Sequence, residues 1–245
     1  GTGLGVVLFQ KISVFTLLAI DAASFVGSLF LLWLAGRRLS APALPISGKK
    51  EVPVALRWGT LTVRQKRSLL ILPALAAVGS PAMALLPALA QQLHPQDAAG
   101  LALPLLFARS MGQLCGPLLL KKESLTRFVV HTPRLIVCLG IFLAAYGILP
   151  LLSGWVVYAL GMIFIAHLAS NVLFAAGTFA VLSSFHRTQT ASASGKAWRW
   201  QTLSASLFTG IAAIVAARVG SVQALYTVSS AALLMVVLIM RRYRE

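Results

Sequence analysis

Acidic residues are nearly absent from this chain. Of its 245 residues only five are Asp or Glu, against 21 Lys or Arg, and charged residues of all kinds make up 11%. A water-soluble domain carries about a quarter charged residues, so a soluble enzyme is excluded. A disordered chain is excluded too, because it needs high charge and few apolar residues. Cysteine is equally scarce. Cys115 and Cys138 stand apart, in or beside apolar runs and outside any C-x-x-C pair. A disulfide scaffold is therefore excluded, and both read as small buried hydrophobes. The sequence also lacks a Walker loop, an H-E-x-x-H helix, a nucleophile elbow and any spaced set of metal ligands. No cofactor and no metal are expected. An enzyme is not expected either, since a membrane-embedded one needs a polar catalytic cluster at one membrane face. The opening Gly1-Thr2-Gly3 has no charged n-region of a signal peptide, and it is read as the continuation of an earlier segment.

Apolar sequence is abundant, at 58% of residues. Seven stretches come near or exceed the ~20 residues that cross a bilayer core. They cover residues 12–35, 68–90, 98–120, 135–152, 154–185, 201–217 and 222–240. Lipid offers backbone groups no water, so these stretches are helices or strands of a closed barrel. Runs this continuously apolar lack the alternation of barrel strands. The expected fold is all-α, a polytopic membrane helix bundle of about seven transmembrane helices, with residues 1–10 as part of a further one.

The basic residues sort by connection. Arg37, Arg38, Lys49, Lys50, Arg57, Arg64, Lys66 and Arg67 follow the first span, and Lys121, Lys122, Arg127 and Arg134 the third. Arg187, Lys196 and Arg199 follow the fifth, and Arg241, Arg242 and Arg244 form the tail. The intervening connections carry only Lys11 and Arg218, and Arg109 lies inside a span. The positive-inside rule puts the richly basic side, with the C-terminus, in the cytoplasm of a cell with this protein in its plasma membrane. Topology thus accounts for the net charge of +16 without nucleic acid as a partner. The lipid bilayer is the implied partner, its anionic headgroups facing the basic links.

The longest connection, residues 37–67, holds Pro42, Pro45, Pro53 and Ser47-Gly48-Lys49-Lys50. It reads as a flexible cytoplasmic linker, with a short amphipathic stretch near 56–63. The expected organisation is residues 1–36 as the end of one bundle, 37–67 as linker, and 68–245 as a six-helix bundle.

A family resemblance follows from these features. Six helices after a long basic linker, with a helix before it, resemble the second half of a major facilitator superfamily transporter, whose two six-helix halves are joined by such a loop. The run Val14-Phe15-Thr16-Leu17-Leu18-Ala19-Ile20-Asp21-Ala22-Ala23-Ser24-Phe25 resembles the sixth-helix pattern of the drug-exporter branch, which includes macrolide and siderophore exporters. Gly1-x-Gly3-x-Gly5 is similar to the end of its fifth helix, and Ala108-Arg109-Ser110-x-Gly112-x-x-x-Gly116-Pro117 to its eighth. The resemblance implies late helix five to helix twelve, with the N-terminal half of the same transporter as a partner and a small molecule as substrate.

Ionisable groups inside a span are costly and mark candidate sites. Asp21 reads as a proton or cation site, or as a carboxylate bonded to a neighbouring helix. Arg109, with Gln113 one turn on, reads as a cavity group for an anionic or polar substrate, or as an interface Arg. His167, Ser170 and Asn171 share one helix face and read as a substrate or proton path, or as a stripe that bonds a neighbouring helix. Gly112 and Gly116 suggest close helix approach. Pro73, Pro81 and Pro87 suggest a break or kink in the second span. Thr202, Ser204, Ser206 and Thr209 read as mild helix contacts with a water-facing side, and Trp33, Trp155, Trp198 and Trp200 as interface anchors.

The expected function is proton-driven export of a small amphipathic or hydrophobic compound by alternating access. The competing readings are a non-transporting fragment of such a transporter, or another polytopic membrane protein.

Overall fold

A computed structural model describes residues 14–39, 56–94 and 98–243. The chain forms two compact units, Gly1–Val52 and Pro53–Glu245. The first contains helix α1, Val14–Leu39. Its described side chains are nearly all exposed. Within it the Phe30 and Trp33 rings lie 5.8 Å apart, and the Arg37 guanidinium sits 3.8 Å above the Trp33 ring.

The second unit holds α2 (Val63–Leu93), α3 (Ala98–Leu118), α4 (Lys122–Val130), α5 (Thr132–Ile148), α6 (Val156–Ser184), α7 (Arg187–Val219) and α8 (Ser221–Arg242). No strand occurs among the described residues. Helices α2, α5 (extended to Leu151), α6, α7 and α8 are each long and apolar enough to cross a membrane. α3 and α4 supply a sixth crossing if that pair, bent by 103°, is counted as one span. α1 contributes a shorter apolar stretch, Ala22–Ala35. The described residues are thus all-helical, and the second unit is a helix bundle with the make-up of a membrane protein.

Local chemistry explains the helix ends. Thr62 and Gln65 form a reciprocal cap at the start of α2: Thr62 Oγ1 accepts from the Gln65 backbone N–H at 3.2 Å, and Gln65 Oε1 accepts from the Thr62 N–H at 3.1 Å. The same Gln65 amide donates to the Ser184 carbonyl at 3.3 Å, tying this end to the last turn of α6. α2 therefore begins before residue 68, because its first turn is polar and falls outside the apolar run. Pro73, Pro81 and Pro87 do not break it, and one helix runs through all three. Each proline removes a backbone donor, and packed neighbours in a bundle hold such a helix together.

α7 differs more from expectation. The basic connection before residue 201 is helical from Arg187. Its polar sequence hides two small residues one turn apart, Ala193 and Ala197, both fully buried in a cluster with Leu69, Leu72, Val181 and Phe185. At the far end Gly220 has φ +96°, a backbone that L-residues with a side chain avoid, and it turns the chain tightly into α8. The turn falls at Arg218-Val219-Gly220-Ser221, between the sixth and seventh apolar stretches. α8 contains one turn of π-helix, Leu225–Ser229.

The stretch before α2 is anchored. Trp58–Thr60 forms a single 3₁₀ turn. The Trp58 ring lies 5.1 Å from Trp200 and 6.0 Å from Tyr243, and the Lys196 ammonium donates to the Leu56 carbonyl at 2.8 Å. Residues 40–55, most of the expected linker, and residues 1–13, including the expected partial helix, lie outside the described residues.

α2 packs along α7 and α6, while α3 and α5 each run along α6. Glycine sets the closeness of α3 to α6. A Cβ at Gly112 would collide with the Phe164 carbonyl oxygen, and one at Gly116 would sit 2.7 Å from the Leu168 carbonyl oxygen. The two glycines let the α3 backbone lie against the turns of α6 that carry His167 and Asn171.

Candidate functional site

The site is built outward from α6. His167, Ser170 and Asn171 occupy adjacent turns of one face. Ser170 Oγ and Asn171 Nδ2 both donate to the His167 carbonyl, at 3.1 and 3.0 Å. These short polar side chains thus satisfy donors within their own helix. The His167 ring is 1% exposed. Its Nε2 lies 2.9 Å from the hydroxyl of Tyr146 on α5, which is fully buried. Phe142, one turn before Tyr146, stacks on it at 4.8 Å and meets the imidazole edge-on at 5.8 Å. An aromatic cage therefore fixes the imidazole plane.

α3 approaches through its glycines and brings Arg109 and Gln113 to the same place. Together with α2 and α7 these helices enclose a cavity of about 470 Å³. Arg109 and Gln113 line it from α3, and His167, Ser170 and Asn171 from α6. α2 contributes Leu75, Ser80 and Met83, and α7 contributes Trp198, Gln201, Thr202 and Ser206. Five of the six residues singled out from the sequence are thus gathered on one wall. The sixth, Asp21, belongs to α1 in the other compact unit, and its side chain lies outside the described residues.

Three polar groups here lack a protein partner. Arg109 makes no hydrogen bond or ion pair among the described residues. His167 Nδ1 and Gln201 Oε1 are buried without a hydrogen bond. Among the described residues no carboxylate lines the cavity. The one described carboxylate side chain of this unit, Glu123, is exposed on α4.

Sequence reasoning missed Trp198 and Gln201. Trp198 was expected to anchor at the membrane interface, but its ring lines the cavity and meets Phe174 edge-on at 6.0 Å. Trp200, given the same role, packs on Trp58 instead. The signal was present in the spacing. Trp198, Gln201, Thr202, Ala205 and Ser206 recur at three- and four-residue steps, which places them on one helix face. Of the hydroxyls expected to contact helices, Thr202 and Ser206 line the cavity, and Ser204 lines a small apolar cleft among α2, α7 and α8.

The arrangement is suited to holding a molecule. Among the described residues no group of three or more potential metal ligands occurs. The chain matches no protein-family model, no curated protein and no solved structure.

Proposed function

We propose that the protein is a secondary transporter of the major facilitator type, in the drug-exporter branch, that moves a small amphipathic or hydrophobic compound out of the cell by alternating access. The observation that carries this reading is the cavity, where polar side chains cluster on a largely apolar wall. Transporters place substrate sites near the bilayer midplane between bundles that rock against each other. Here Arg109, Gln113, His167, Ser170 and Asn171 form one wall of the pathway, and Asp21 is a further ionisable group in the same chain. With seven spans, as the sequence suggests, the positive-inside rule puts the basic connections and the C-terminus on the cytoplasmic side of the plasma membrane. The opposite wall comes from the N-terminal half of the same transporter. A proton gradient is the drive this reading assigns to the cycle.

The test uses the full-length protein in sealed vesicles with an imposed pH gradient, following release of amphipathic fluorescent compounds. Arg109→Ala and His167→Ala should each slow release by about tenfold or more, the loss of one hydrogen bond to a charged or buried group. Unchanged release in both variants would remove these residues from the pathway. Release that ignores the gradient would remove the proton coupling, and absence of any release would favour a non-transporting fragment.

A further inference from the structure

We infer that the cavity takes an amphipathic organic anion, its acid group held by Arg109 and its apolar body set against the Phe174–Trp198 corner. The inference rests on the transporter reading and narrows its substrate class.

The argument begins with charge. A guanidinium stays protonated in any protein setting, and within a membrane it needs a counter-charge or water. Arg109 has no protein partner among the described residues, and no carboxylate lines the cavity with it. A cationic ligand would meet Arg109 with nothing to neutralise it. A neutral ligand would strip water from the guanidinium and return no counter-charge. An acid group supplies both charge and acceptors, and a carboxylate matches the guanidinium fork with two parallel hydrogen bonds.

The neighbouring groups agree. His167 uses Nε2 with Tyr146. Its other ring nitrogen, Nδ1, is buried without a hydrogen bond. Gln113, one turn beyond Arg109, sets an amide donor on the same wall. The rest of the lining fits an apolar body. Trp198 is 51% exposed although it sits on the wall, and it forms a right-angled aromatic corner with Phe174 at 6.0 Å. Leu75 and Met83 flank the cavity from α2. Its volume of about 470 Å³ is that of sites for drug-sized molecules.

The experiment compares three probes of one ring size in the purified full-length protein in lipid nanodiscs: 2-naphthoate, methyl 2-naphthoate and 2-naphthylmethylammonium, by equilibrium dialysis. The naphthoate should bind about ten- to a hundredfold tighter than either of the others. Arg109→Gln should abolish that preference, and Arg109→Lys should keep most of it. Ser206→Asp, at an exposed position on the cavity wall, should weaken the naphthoate and admit the ammonium, so the inference stays testable if Arg109→Gln does not fold. Equal binding of the three probes would mean that Arg109 is neutralised by an acid of the protein, and would overturn the inference. So would tighter binding of the ammonium, or a preference unmoved by Arg109→Gln and Ser206→Asp. Vesicle transport separates this inference from the reading beneath it. Naphthoate that binds but never crosses keeps the anion site and overturns the transporter. Vesicles that move the ester or the ammonium and refuse the naphthoate keep the transporter and overturn the anion.

Discussion

Helices α2 and α7 lie along each other, are nearly equal in length at 31 and 33 residues, and are both apolar enough to cross a membrane. Yet 72% of the apolar window of α2 is buried in the protein, against 6% for α7. α2 is the central post, touched by α3, α6, α7 and α8. α7 meets the rest through small residues, with Ala193, Ala197 and Ala212 buried, and leaves Leu203, Leu207 and Ile214 exposed. In water such a flank would be driven inward. In a bilayer it is already in an apolar medium, and small residues let the backbones come close. Apolarity therefore marks the medium of a helix, while its small and polar residues mark its neighbours.

Paired substitutions break or sharpen this contrast. Leu86→Ala on α2 removes a side chain that is 2% exposed and should lower stability by about 2–5 kcal/mol. Leu207→Ala on α7, 60% exposed, should change it little. Equal losses in thermal unfolding of the purified protein would erase the distinction. Gly177→Leu comes next. A Cβ there would lie 2.8 Å from Leu72 Cδ2 and 2.9 Å from Ile71 Cγ2, and the longer side chain should cost about 1–3 kcal/mol by overpacking against α2. Gly210→Ala on α7 meets nothing within 4 Å and should stabilise by up to about 1 kcal/mol through helix propensity. Lys196→Met has the smallest expected loss. It removes the donor to the Leu56 carbonyl and should cost about 1 kcal/mol, read as faster proteolysis of the segment before α2 with no change in the rest of the bundle.

Much of the bundle was legible in the sequence because lipid imposes a length on apolar helices. Five of the seven expected spans fall on helices long and apolar enough to cross; the third does so only with α4 as a bent pair, and the first holds a shorter apolar stretch. The sixth differs most in its bounds. That one begins at Arg187 because Ala193 and Ala197 pack well without adding hydropathy. The polar stripe of α6 and the Arg109–Gln113 step of α3 were legible from helical spacing. The Tyr146–His167 pair was not, since its members belong to different helices and no local pattern joins them. For Trp198, near a span end where aromatics usually sit among headgroups, the cavity contact was not legible from that position alone, because it depends on the face it shares with Gln201 and Thr202.

The cluster of Trp58, Trp200 and Tyr243, with Lys196 clasping Leu56, gives the arriving chain a mechanical address. These contacts join the stretch just ahead of α2 to α7 and to the closing turn of α8. The same half of α7 carries Trp198, Gln201 and Thr202 on the cavity wall, so the anchor and the wall belong to one helix.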